Sequence, residues 1–288
     1  MAISRRSEAA QGYSLIAPPF IYAVLVLAAP LLTILSYSFL TDGYLEIIPT
    51  LTWENYHFVL TDPVVRALMW RSLYVSVSVT AVTVLLAFPI AYYVSFVVRP
   101  ERKALWLFLI TIPFWTSYLI RVFLWSVIME QNGVINSALM GLGITDQPIT
   151  MLRTVGAIVM TLAHAYAPFA ILPIFVALEK IDRSLLEAGR DLGESRAMTF
   201  WRVTLPLAMP GVIAAVLIVF IPTVGDYVTP TLIGGGRIPM IANMVQAQML
   251  PLDNKPLGSA IAISAMLVVG LVSGLFLFVN RRFLKVRQ

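Results

Sequence analysis

The chain has 288 residues, of which 59% are hydrophobic and 12% charged, with 20 Lys and Arg against 15 Asp and Glu. Soluble domains are roughly 45–50% apolar and 25% charged, so this composition and a mean hydropathy of +0.86 exclude a water-soluble globule and make lipid the solvent. Cysteine is absent, which excludes disulfides, thiolate metal sites and cysteine nucleophiles.

Six apolar stretches follow along the chain, at residues 15–40, 72–98, 104–129, 155–178, 211–233 and 259–279, each 21 to 27 residues long. Roughly 20 residues suffice to cross about 30 Å of hydrocarbon. Backbone polar groups in lipid must pair within their own segment, so helices are expected, and the alternating pattern of a membrane barrel is missing. The sequence thus predicts an all-α membrane protein, one domain with six transmembrane helices. Pro89, Pro113, Pro168, Pro173 and Pro222 lie inside these spans and are read as kinks, because neighbours in a bundle satisfy the groups that proline frees. The first span follows Arg5 and Arg6 but exceeds the roughly 7–15 apolar residues of a signal peptide, so it is expected to remain as an anchor.

Orientation follows from the basic residues. Fourteen lysines and arginines fall on one side: Arg5 and Arg6, a group at 99–103, a group at 180–202, and Arg281, Arg282, Lys285 and Arg287. Five fall on the other, and Arg121 lies within a span. By the positive-inside rule both termini and the loop at 179–210 are cytoplasmic. The sequence pI of about 9.6 is therefore a topology signal and no sign of nucleic acid, since the charges form no continuous groove. The outer connections at 41–71 and 131–154 are too small for cores of their own and are expected to form short helices on the outer surface.

Chemistry-bearing motifs are few. Gly234, Gly235 and Gly236 are followed by Arg237 and Ile238, so no phosphate-cradling G-x-x-x-x-G-K-[ST] loop exists and no nucleotide site is expected. His57 and His164 are the two histidines, without a zinc-binding H-E-x-x-H pattern; His164 is expected to face the bundle as a polar residue. No G-x-S-x-G elbow is present. A membrane enzyme is not expected.

The loop at 179–210 is the informative one. Ser184 and Glu187 have capping-box spacing, with the serine accepting the glutamate amide and the glutamate reaching back. A helix is expected from there, with an apolar face of Leu185, Leu186, Ala188 and Leu192. Gly193 loosens it, and Pro206 and Pro210 stop propagation before the next span. Glu187-Ala188-Gly189, three residues, Gly193, nine residues, then Val203-Thr204-Leu205-Pro206 resembles the EAA motif (E-A-A-x3-G-x9-I-x-L-P) of binding-protein-dependent ABC importer permeases. Gly189 stands where that motif has Ala, and Val203 where it has Ile.

The resemblance implies a type I permease fold in a bacterial inner membrane, with a cytoplasmic coupling helix docking into a cleft on an ABC ATPase dimer. It assigns Glu187, Ala188, Gly189, Gly193, Leu205 and Pro206 to ATPase coupling. It further implies a solute-binding protein outside, a second permease subunit, and no cofactor in this chain, ATP being used by the ATPase. Residues 113–121, 133–136, 225–230 and 256–260 are similar to the spermidine and putrescine permeases, so the resemblance covers about residues 15–285 and implies polyamine import with a paralogous partner. Another small solute, amino acid-like, opine-like or anionic, is the alternative within the family. An ion-coupled secondary transporter is the alternative outside it, and it lacks the expected inverted repeat.

Asp226 and Arg121 are the charges inside the spans, and each costs at least about 2.5 kcal/mol at mid-bilayer, so each should face the bundle or water. They lie 7 and 8 residues from the outer ends of their spans, roughly 10 and 12 Å deep at 1.5 Å per residue. Either they pair with each other, or Asp226 offers its carboxylate to an ammonium group in a translocation pathway with Tyr227, Trp115 or Phe123 supplying cation–π contact.

Overall fold

The computed structural model describes residues 5–43 and 46–284, with the side chains of 5–11 left aside. Lys285 and Arg287, which contribute to the orientation argument, lie outside the described residues, as do the side chains of Arg5 and Arg6. The helices are α1 (Arg5–Tyr37), α2 (Glu54–Thr61), α3 (Pro63–Phe96), α4 (Pro100–Thr111), α5 (Tyr118–Ile128), α6 (Val134–Gly141) and α7 (Val155–Glu179). They continue with α8 (Arg183–Asp191), α9 (Arg196–Thr199), α10 (Leu205–Val224), α11 (Val228–Leu232), α12 (Ile241–Met249), α13 (Lys255–Val279) and α14 (Arg281–Leu284).

Among the described residues five helical segments are long and apolar enough to cross a membrane, and α4 with α5, bent by 87° at the break between them, makes a sixth if the pair is one span. The expected kink at Pro113 is thus a full interruption. Ile112–Trp115 tightens into a 3-10 turn and Thr116 is extended, because Pro113 cannot donate to the helical ladder. The fifth span also departs from 211–233: the helix ends at Val224, and Gly225, Asp226 and Tyr227 separate it from α11. In the other direction α3 starts at Pro63 instead of residue 72, where a proline without an amide hydrogen fits the first turn at no cost in hydrogen bonds.

The chain's contacts cluster into two compact units, residues 1–62 with 245–264 and residues 63–244 with 265–288. In the first, the segment after α1 forms an antiparallel hairpin, β1 (Leu40–Asp42) with β2 (Ile47–Leu51), instead of the expected helices alone. Asn55 pins the hairpin to the end of α1 by donating to the carbonyls of Ser38 and Leu40, at 3.1 and 2.8 Å. Phe39, Trp53 and Tyr56 stack beside it, with centroids 5.0 to 5.9 Å apart.

In the second unit α3, α7 and α10 pack together around Val75, Val79, Leu162, Ile171, Ile174 and Val219. Helices in lipid gain little from hydrophobic exclusion and associate through close packing of small residues. Gly211 shows this directly: a Cβ there would meet the Ala177 Cβ and the Pro173 carbonyl oxygen at 2.5 Å, so α10 touches the α7 backbone only because the residue is glycine. The outer connection after α5 is closed by Asn136, fully buried, which donates to the carbonyls of Glu130 and Ile149 and accepts the Ile149 amide.

Candidate functional site

The cytoplasmic loop forms a helix-turn-helix. Asp182, not Ser184, caps α8: its carboxylate accepts the Ser184 amide at 3.0 Å. The expected capping box therefore does not form. The aspartate takes the N-cap position and accepts a first-turn amide there, and Glu187 is left exposed, with no capping bond to Ser184. The same hydrogen bond holds the Asp182 carboxyl below the usual carboxylate range.

The helix ends in a Schellman motif, with the Glu194 amide on the Gly189 carbonyl at 3.0 Å and the Gly193 amide on the Arg190 carbonyl at 2.9 Å. Gly193 sits at φ +85°, a backbone state that glycine adopts without penalty. Gly189 is buried against α9, where an added Cβ would come within 3.3 Å of the Thr199 side chain. Ser195 caps α9 by accepting the Met198 amide, and Arg202 braces the turn through Glu194 at 2.9 Å.

The chain then passes through a π turn, Phe200–Thr204, directly into α10. Pro206 and Pro210 do not stop the helix as expected: Pro206 follows the π turn in the first turn of α10, Pro210 lies inside α10, and 196–224 runs as one helical segment. Leu205 and Pro206 are half-buried in this junction.

Among its exposed charged residues the loop also exposes large apolar side chains. Only Leu186 of the expected face is half-buried; Ala188 is exposed, and Leu185 and Leu192 are 47% and 86% exposed, together with Met198 and Trp201. Large apolar side chains exposed on a charged cytoplasmic loop are what a protein partner would cover.

The second candidate region lies where the two interrupted spans meet. Asp226 is 7% exposed, and its carboxylate accepts the Val228 amide at 3.1 Å and the Thr229 amide at 3.3 Å, the first amides of α11. Thr229 is buried and shares a 2.7 Å hydrogen bond with the Tyr118 hydroxyl at the start of α5. Asn243 donates to the Tyr227 carbonyl and the Thr231 hydroxyl, at 3.0 and 2.9 Å. Irregular backbone at membrane depth is tolerated where it is buried in protein or lines a cavity, and this network supplies the missing partners.

Among the described residues no ion pair joins Arg121 to Asp226. The pairing alternative is thus not realised, and the carboxylate accepts the α11 amides instead. Arg121 instead places its guanidinium 5.3 Å from the Phe114 ring centroid, with Nε and Nη1 buried and without a hydrogen-bond partner among the described residues. Tyr227 is 44% exposed beside Asp226, whereas Trp115 lies edge-on to Phe108 at 5.4 Å. Phe123 lines an outer cavity of about 400 Å³ with Ser126, Glu130 and Arg153. His164 accepts the Trp125 indole N–H at 3.1 Å.

Sequence reasoning missed Tyr118, Thr229 and Asn243. Tyr118 and Thr229 stand inside the stretches 113–121 and 225–230, but nothing local marks that they meet. Asn243 carries no sequence signal.

Membrane-crossing helices with an uncovered cytoplasmic docking loop and polar, interrupted backbone deep in the bundle define a transport permease. The chain belongs to the family of binding-protein-dependent transport system inner membrane components, which residues 18–285 match, and it is a multi-pass inner-membrane protein. It is 36% identical over 263 residues to the spermidine/putrescine transport system permease protein PotB of Haemophilus influenzae, covering 91% of each chain. It is 35% identical to the PotB protein of Escherichia coli over 87% of this chain and 91% of that one. A solved bacterial alginate ABC transporter, in complex with an alginate pentasaccharide-bound periplasmic protein, contains a chain with the same fold: TM-score 0.74, 16% identity, 97% and 96% coverage.

Proposed function

We propose that this chain is the membrane-spanning subunit of an ATP-driven polyamine importer. An ABC ATPase dimer would grip the cytoplasmic loop, a solute-binding protein would deliver spermidine or putrescine outside, and a paralogous second permease would complete the passage. The observation that carries the proposal is the exposure of Leu185, Leu192, Met198 and Trp201 on a capped helix-turn-helix. With no phosphate-cradling loop in the sequence, the chain takes its energy from a partner and uses no cofactor of its own.

Glu187, Ala188 and Gly193 act at the ATPase interface, and Gly189, Leu205 and Pro206 hold the loop's shape. Closure of the ATPase dimer moves α8, and the bundle opens outward; this is alternating access driven from outside the chain. In the pathway Asp226 serves first as the cap of α11, so the half-exposed Tyr227 and the exposed Trp115 and Phe123 are the better candidates for contact with an ammonium group. Arg121, which has no ion-pair partner among the described residues, is packed on Phe114 with two buried guanidinium nitrogens and is not a candidate for solute contact. A zwitterionic, amino acid-like solute is the second reading. It is favoured by Glu130 and Arg153, opposite charges that line the same outer cavities.

The test is ATPase stimulation in the reconstituted complex by binding protein loaded with spermidine, putrescine, amino acids, opine-like compounds or anions. Stimulation by the two polyamines alone is expected. Stimulation by amino acids without polyamines would replace the first reading with the second.

A further inference from the structure

The last turn of α3 carries a joint that the EAA-like motif does not include. Ser95, 1% exposed, donates from its hydroxyl to Glu179 Oε1 at 2.6 Å. Lys103 of α4 donates to the same oxygen at 2.6 Å, with only 13% of its side chain exposed. The Ser95 carbonyl accepts Arg183 Nη2 at 3.3 Å, and that guanidinium also lies 6.0 Å from the Phe96 ring. Glu179 is the last residue of α7 and Arg183 the first of α8. The three residues between them are therefore held on both sides, and the start of the coupling helix is tied to the ends of α3, α4 and α7 at once.

The chemistry suits a rigid joint. The final carbonyls of a helix lack intrahelical partners, and a cation there satisfies one while complementing the helix dipole. Arg183 does this for α3. A carboxylate that accepts an ammonium and a buried hydroxyl on one oxygen forms charge-assisted bonds, shorter and stronger than neutral ones. Further along the loop, Phe200 packs edge-on against Phe88 and in a tilted T against Tyr92, at 5.6 and 6.0 Å, so α3 is gripped a second time.

The outer half of α3 leads to the polar break. Ser72, fully buried, accepts the Ile241 amide at 2.7 Å, and Arg71 donates to the Pro239 carbonyl at 3.2 Å. Two residues beyond Ile241, Asn243 holds the Tyr227 carbonyl. From Ser95 to Ser72 the helix spans roughly 35 Å.

We propose that Glu179 is a positioning residue for energy transfer. It locks the end of α7 to α3 and α4 beside the bond from Arg183 of the coupling helix to the Ser95 carbonyl, so that the ATPase stroke is delivered along α3 to the turn at Asp226 and Tyr227. This rests on the ATP-driven reading above. Spatial continuity alone does not establish coupling, so the test reads coupling itself.

The full complex in proteoliposomes, carrying Glu179→Gln or Lys103→Gln, should assemble and hydrolyse ATP at its basal rate but take up at least fivefold less spermidine per ATP. The exchange K103E with E179K should restore that ratio to within twofold. A second readout needs no solute. The chain lacks cysteine, so Trp70→Cys, 73% exposed near the outer end of α3, accepts a single spin label. Its spectrum should change on trapping with ATP and vanadate, and should stay unchanged in the Glu179→Gln background. A vanadate response in Glu179→Gln equal to that of the parent, or a charge exchange as uncoupled as the single variants, overturns the proposal. Loss of assembly in all variants, the exchange included, overturns it too, since the joint would then serve the fold alone. Failure of the unsubstituted complex to couple uptake to ATP is a separate result and sinks the functional reading instead.

Discussion

Asp182 and Asp226 are the same device in two settings. Each carboxylate accepts amides from the first turn of the helix that follows it, Asp182 at 3.0 Å and Asp226 at 3.1 and 3.3 Å. Asp182 lies in water and starts a helix whose apolar side chains stay uncovered. Asp226 is 7% exposed and starts a helix whose polar side chains are satisfied inside the bundle. The loop is therefore built to be completed by another protein, whereas the break is completed by its own chain. A charge in a membrane span is thus not by itself a solute ligand; its hydrogen-bond shell must be counted first.

Substitutions can break this contrast, and the largest effect is expected at the buried cap. Asp226→Ala strands the Val228 and Thr229 amides and should cost about 2–3 kcal/mol of stability, read as a lowered thermal midpoint in detergent. Asp226→Asn keeps one acceptor and should recover much of the loss. If Asp226→Ala leaves stability intact while abolishing uptake, the carboxylate belongs to the solute and the contrast fails. Next, Leu192→Asp should weaken ATPase co-purification more than tenfold, about 1.4 kcal/mol, with an unchanged thermal midpoint because the side chain touches little of its own chain.

Smaller effects sharpen the account of the loop. Gly193→Ala forces a Cβ into the left-handed region and should cost about 1 kcal/mol, seen as faster amide exchange at Gly193 and Glu194. Ser184→Ala should change stability by less than about 0.5 kcal/mol, because the serine is not the cap. Asp182→Ala should loosen the Ser184 amide instead. The carboxyl of Asp182 is held below its unfolded value of about 3.9, so its contribution is fully present above that pH and is lost as pH falls through the lowered value. Protection of the Ser184 amide should accordingly be flat from neutral pH down to about pH 4 and fall only in stronger acid.

Local signals in the sequence carried far, and they stopped where tertiary contacts decide. Apolar run length located the spans, and the distribution of basic residues oriented them, because lipid thickness and translocation read those features residue by residue. The spacing of Glu187, Gly193 and Pro206 singled out the loop, and Gly193 proved to be the left-handed residue that ends α8. The interruption at Pro113 was visible as a proline but its 87° magnitude was not, since the same residue kinks or breaks a helix according to what its neighbours offer the freed backbone. Asp226 looked like a partner for Arg121 on depth alone; depth ignores the amides of α11. Ser184 fitted a capping box, yet Asp182 two residues earlier competes for the same turn and wins. The joint at Glu179 joins residues 76 and 84 positions apart in the chain, a relation no local pattern contains.

The central claim is that this chain moves solute only when a separate ATPase drives its cytoplasmic loop. Uptake of labelled spermidine into proteoliposomes, with ATP enclosed and with the ATPase subunit present or omitted, tests it most directly. The account predicts uptake that requires both ATP and the ATPase and disappears with Leu192→Asp. Uptake at the same rate without the ATPase, or driven by an ion gradient alone, would contradict it.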